Sequence, residues 1–204
     1  MSGNYLIGPV STIFAAALAV GLLDTPATAQ VVESVSTALN RDKCRHTKGR
    51  DVEDYGEWRC NGYAEIAVHV SAGDQRSYVS YGSNAKKEPA AKQTLASFNS
   101  EGEKIEWRAE RCADNRLKPF ATIMLWSTTV SSGDEPVRGE MLVVTRLAPG
   151  RVCHVGYVDA KANPDANLLA KKIADEHARK FNCGVDKPIV LGKKGPGFSG
   201  PYGE

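Results

Sequence analysis

Five cysteines and four histidines are the residues of this 204-residue chain best suited to nucleophilic, redox or metal chemistry. Cys112, in the run ERCADN, is the sharpest nucleophile candidate, because Arg108 and Arg111 nearby would favour a thiolate. No cysteine-enzyme signature surrounds it, so a spare thiol is the plainer reading. His46, His69, His154 and His177 would have to converge to hold a metal. No two of them sit two apart on a strand or four apart on a helix, so neither a metal nor a cofactor is expected. Asp51, Glu53 and Asp54 read as loop charges, and Glu106 alternates with Ile105 and Trp107 on a strand, which leaves general acid/base work without a cleft to occupy. Nucleophile-elbow, phosphate-loop and dinucleotide motifs are missing from the sequence. Gly192-Lys193-Lys194-Gly195 lacks the flanking strand and helix that a phosphate loop needs. Trp58, Trp107, Trp126, Tyr63, Tyr78 and Tyr81 are candidates for a glycan or peptide groove, but Trp107 and Trp126 sit in apolar strands and read as core.

The chain's beginning bears on which of these chemistries is open to it. Residues 12–23, TIFAAALAVGLL, form an uncharged apolar run followed by Ala27-Thr28-Ala29, the layout of an export signal cleaved between Ala29 and Gln30. An uncleaved anchor is the rival, since the stretch from Tyr5 to Leu23 is uncharged; Pro9 and the small-residue site favour cleavage. The expected destination is the periplasm or the exterior, with no stable membrane span once the leader (1–29) is removed. The leader holds one acidic residue, Asp24, and no basic one, so the mature chain is one unit more positive than the +2 of the whole. That charge is spread through the sequence and gives no argument for a nucleic-acid partner.

All five cysteines follow the cleavage site, and in an exported chain without C-x-x-C spacing they read as a disulfide framework. Cys44 and Cys60 bracket a charged, glycine-punctuated loop and are expected to pair. Cys153 and Cys183 lie at the ends of a strand–helix unit. A strand from Cys153 to Ala160 rises about 23 Å, and a helix from Pro164 to Asn182 about 28 Å. A helix packed back on its own strand therefore returns Cys183 to Cys153, with a Cα separation below about 7 Å. Cys112 is left as the unpaired thiol.

The elements between the cysteines are mostly strands. Ser34 to Leu39 reads as a first, edge strand, and Asn61-Gly62 as a hairpin turn into YAEIAVHV, whose Ile66, Val68 and Val70 recur with period two. RSYVSYG follows the turn at Gly73-Asp74. Residues 83–102 read as a long polar loop with a helical turn near Ala90 to Ala96. KIEWRA, PFATIMLWSTTV, EMLVVTRL and RVCHVGYVDA follow as strands separated by close turns. In the strand after Cys153, Val155 and Tyr157 should face the helix and His154 the other way. The helix is expected from Asn163 to Asn182, with Asn163 as N-cap, Pro164 at the first helical position, His177 on the sheet-facing stripe and Gly184 as C-cap. IVL (189–191) adds a short strand, and 191–204 reads as a flexible Gly/Pro-rich tail.

Cys60-x-Gly62-Tyr63, Ile105-Glu106-Trp107-Arg108, PFATIMLW, LVVTRL, CHVGYVDA and the helix pattern AN-x-LA…AD…F-x-C resemble a group of small exported proteins of unknown function from Gram-negative bacteria. The likeness covers most of the mature chain and implies location and fold. It supplies no activity, cofactor or catalytic residue. Cys112 is an addition to that group's usual cysteines, consistent with its being unpaired.

The expected architecture is one α+β domain over 30–190, an antiparallel meander sheet of about six to eight strands with one C-terminal helix packed on one face, stapled by two disulfides. The function expected is non-catalytic binding of a protein or envelope ligand. A hydrolase-like enzyme with an unrecognised site and a secreted enzyme inhibitor are the alternatives.

Overall fold

Period-two apolar segments become strands where one face can be buried, and here the faces meet in three layers. The protein is described by a computed structural model covering Gly3 and residues 31–48, 55–132 and 135–203. The apolar run at 12–23, the Ala29/Gln30 site and the carboxylates Asp51, Glu53 and Asp54 lie outside the described residues. Among the described residues no helix is long and apolar enough to cross a membrane.

The central layer is a six-stranded sheet in the order β1 (Val32–Ala38), β7 (Phe98–Arg111), β8 (Leu117–Ser132), β9 (Glu135–Arg146), β10 (Cys153–Asp159), β11 (Ile189–Val190). Its pairings are antiparallel except β10–β11, which is parallel. One face carries the helix α1 (Ala166–His177), so the fold is α+β. The other face is not open. It is covered by a second, four-stranded antiparallel sheet of β2 (Arg45–Lys48), β3 (Gly56–Asn61), β4 (Ala67–Gly73) and β5 (Arg76–Tyr81). β9 shows why the sequence pattern hides this. Met141 and Val143 pack toward the second sheet while Leu142 and Val144 pack toward the helix, so a strand buried on both faces reads as one continuous apolar run.

The inter-sheet core joins Trp107, Trp126 and Tyr157 to Val68, Val70, Val79 and Tyr81. The helix side is thinner. α1 presents Ala166, Ala170 and Ala174, with Ile173 as its one large fully buried residue, a burial worth about 2 kcal/mol. Small residues let the helix come close: a Cβ on Gly156 would lie 2.9 Å from Ile173 Cγ2 and 2.5 Å from the Ile189 carbonyl oxygen. Arg108 of β7, 7 % exposed, donates from Nε and Nη2 to the Asp175 carboxylate at 2.9 and 2.6 Å, which fixes the helix on the sheet.

Five expectations about the fold need correction. The helix is shorter than Asn163 to Asn182: α1 ends at His177 and continues as a 3-10 turn over Ala178–Lys180. Asn163 does not cap it. Its side chain donates to the carbonyls of Asp159 and Lys193 and accepts from the Lys193 N–H, all at 2.8 Å. His177 is about 39 % exposed on its side chain, so it is no core position. Tyr157 faces the second sheet with His154, because the β9–β10 register shifts between His154 and Gly156 and the extra residue reverses side-chain parity.

The last correction concerns the C-terminal segment. Residues 191–203 are held against the domain instead of forming a loose tail. Besides the Asn163 contacts, Asp159 accepts the Gly195 N–H at 2.8 Å. Phe198 packs on the inter-sheet core, and β12 (Pro201–Tyr202) pairs with β6 (Thr94–Leu95). Hydrogen bonds to two buried side chains order a stretch whose own apolar content is too low to do so.

Candidate functional site

Two disulfides join the expected partners, and each borders a cleft. Cys153 and Cys183 are bonded with Cα atoms 5.9 Å apart, Cys44 and Cys60 with Cα atoms 4.6 Å apart, and Cys112 is a free thiol.

The Cys153–Cys183 bond pulls the loop 184–188 over the beginning of β10, where β11 has not yet begun to pair. Gly184 has the expected positive φ (83°), in the turn after Cys183 and not at the helix end. On the opposite wall two 3-10 turns, Ala85–Lys87 and Pro89–Lys92, replace much of the expected loop. They cap the uncovered end of β10: Glu88 and Gln93 accept the N–H groups of Val152 and His154 at 2.9 and 2.8 Å. Between these walls lies a cleft of about 430 Å³, within the range of small-molecule sites. Its deepest lining residues are Gln93, Cys153, His154 and Phe181, each less than a tenth exposed or at that limit. Exposed Lys92, Arg151 and Lys187 stand around it, and none of the three has an ion pair among the described residues. The one lining acid, Asp186, is engaged by the Asn182 N–H at 2.7 Å.

His154 is 1 % exposed. Its Nδ1 lies 2.8 Å from Tyr157 Oη and its ring meets Trp126 edge-on, while Nε2 has no hydrogen-bond partner among the described residues. Burial pulls its pKa down to about 3, so the imidazole is neutral at physiological pH and is a poor base for proton transfer there.

The second cleft, about 720 Å³, lies beside Cys44–Cys60 and is walled by the β1–β2 connection and by residues 100–103 of β7. Glu101 is its buried acid: the side chain is 4 % exposed, Oε1 lies 2.9 Å from Arg41 Nε, and Oε2 has no partner among the described residues. Arg41 also lies over the ring of Trp58, 4.9 Å from its centroid.

The remaining sequence candidates scatter. Cys112 sits in the β7–β8 turn, its N–H bonded to the Arg116 carbonyl at 2.9 Å. His46 lies on Trp58 (5.3 Å between centroids), His69 is buried on β4 with a pKa lowered chiefly by that burial, and His177 is at the helix end. No group of three metal-ligating side chains forms among the described residues. Glu106 is held by Ser34 and by Lys171, the latter at 3.4 Å. Trp107 and Trp126 are core residues as expected, and Tyr81 joins them. Sequence reasoning missed Lys92, Arg151, Lys187, Arg41 and Glu101. Each is an ordinary charge in a polar stretch, and only tertiary packing brings them to a cleft. Comparison with known proteins finds no matching family model, no similar curated protein and no similar solved structure.

Proposed function

We propose that the protein is an exported, non-catalytic binding domain acting in the periplasm or outside the cell, and that the cleft beside Cys153–Cys183 seats its ligand. The observation that carries the reading is the meeting of three exposed cations, Lys92, Arg151 and Lys187, without ion pairs among the described residues, around a cleft whose deep wall is Phe181 and a neutral imidazole. Pro89, Pro188 and the 80 % exposed Val185 add apolar surface at the rim. Such a cleft suits a small organic anion with an apolar body: the cations attract the head and the walls cover the rest. The leader pattern and the two disulfides support export.

Titration calorimetry with hexanoate and phenylacetate, beside their uncharged amides, tests this. The carboxylates bind and the amides bind less well. Replacing Lys92, Arg151 and Lys187 together with alanine weakens carboxylate binding about tenfold, the sum of three exposed charge contacts of roughly 0.5 kcal/mol each. Equal binding by the triple variant, or no binding of any probe, overturns the assignment.

A further inference from the structure

The cleft beside Cys44–Cys60 is built with the opposite polarity, and it does not depend on the reading of the first. We propose that it is a second binding site, selective for a ligand bearing a guanidinium or ammonium group, and that Arg41 occupies the ligand's place at Glu101 until it is displaced.

Glu101 is placed by a deliberate deformation of β7. It pairs with Trp126 of β8, yet Ile105 pairs with Met124, so β7 spends four residues where β8 spends two. Bulges of this kind re-aim side chains and recur beside binding sites. Gly102 makes this one possible, since a Cβ there would sit 2.3 Å from the Leu125 carbonyl oxygen. As the cross-strand partner of Trp126, Glu101 shares its face and enters the open end of the inter-sheet core. A carboxylate there needs partners on both oxygens, and a guanidinium can supply two parallel N–H groups. Arg41 supplies one contact, through Nε to Oε1, and leaves Oε2 without a partner among the described residues.

Arg41 has the properties of a placeholder. Its side chain is 39 % exposed, and its guanidinium already lies over the face of Trp58 while it contacts Glu101, a contact that can go on holding it once Glu101 is released. Oε2 is covered while Arg41 is in position, so a ligand cation reaches the carboxylate by taking Arg41's place. The other charges lining the cleft are Asp42, Lys43 and Glu103, and none of the three has an ion pair among the described residues. Of these three, Lys43 opposes an incoming cation and the two exposed carboxylates favour it. A single buried carboxylate is too few ligands for a metal ion and sufficient for a hydrogen-bonding organic cation.

The test uses the full chain with its disulfides oxidised, and calorimetric titration with butylguanidine, butylamine and the uncharged isostere butylurea. A blocked tripeptide, acetyl-Gly-Arg-Gly-amide, is compared with its citrulline analogue to separate a peptide side chain from a free small cation. Butylguanidine is expected to bind about tenfold more tightly than butylurea, as one charge-assisted hydrogen bond implies. Glu101→Gln removes that preference, while Arg41→Ala strengthens butylguanidine binding because the competitor is gone. Should Glu101→Gln fail to fold, thermal unfolding of Arg41→Ala decides: butylguanidine raises its midpoint more than butylurea does. Equal binding of cation and isostere, or an Arg41→Ala variant that neither gains affinity nor is selectively stabilised, makes Arg41–Glu101 a closed structural ion pair and overturns the proposal.

Discussion

The two disulfide-flanked clefts place their charges in opposite ways. Beside Cys153–Cys183 the charge is cationic and stands at the rim, on long side chains that need no buried seat, while the one titratable group at depth is neutral. Beside Cys44–Cys60 the charge at depth is a carboxylate, put there by a bulge in a central strand and half-satisfied by an arginine. A rim of exposed cations can change with little effect on the fold. A buried acid cannot, because an unpartnered buried charge costs several kcal/mol. The first cleft is therefore an adjustable surface, and the second is part of the architecture.

Removing the staples gives the largest separation between them. The Cys153–Cys183 bond spans 30 residues and the Cys44–Cys60 bond 16, so in the chain-entropy model their loss costs about 4 and about 3 kcal/mol. Paired Cys→Ala variants should show these losses in guanidinium denaturation. Each should also lose ligand binding at its own cleft and keep it at the other. If either variant weakens both clefts alike, the two do not behave as separate sites.

Acid should distinguish them next. Above about pH 6.5 the His154 imidazole is neutral in both folded and unfolded chains and adds no pH dependence. Below that, the unfolded chain takes up a proton that the buried ring refuses down to about pH 3. Stability then falls with falling pH by roughly 1.4 kcal/mol per unit from this group. The buried His69 acts in the same direction. Urea denaturation of wild type and His154→Leu across about pH 6 to pH 4 should give slopes that differ by most of that amount. Parallel slopes would mean that the ring is already accessible to protons in the native state.

The parts that could be read in advance are those governed by local pattern. The strand alternation around Val68 and Val70, the long strands PFATIMLW and EMLVVTRL, and the strand–helix arithmetic joining Cys153 to Cys183 all depend on neighbours in sequence. The misreadings have a non-local cause. Parity at Tyr157 was reversed by one bulged residue opposite β9, which no single-strand periodicity reveals. The strands β2–β5 read as part of one meander, because their pairing apart from the main sheet leaves no local mark in the sequence. Glu101 and Gly102 fall in a stretch that reads as loop, since a bulge lacks period-two alternation. The rim cations come from three separate connections, Lys92 from a 3-10 turn, Arg151 from the turn between β9 and β10, and Lys187 from the loop after the helix.

Asn163 supplies the smallest and most local test of the comparison. Two of its 2.8 Å hydrogen bonds tie the loop after β10 to Lys193, and a third holds the side chain on the Asp159 carbonyl. Downstream of that tie, Gly203 lines the His154 cleft but not the Glu101 cleft. Asn163→Ala leaves the Lys193 N–H without its acceptor and should cost about 2 kcal/mol. The segment should then open locally, ahead of global unfolding, because it is held by hydrogen bonds and a two-residue strand pair with little buried apolar area. Hydrogen exchange should show faster exchange over 191–203 with β7–β9 unchanged, and trypsin should cut at Lys193 or Lys194. Phenylacetate binding should weaken severalfold while butylguanidine binding holds. A released segment with phenylacetate binding intact would move the carboxylate's seat away from Gly203, toward Phe181 and the loop 184–188.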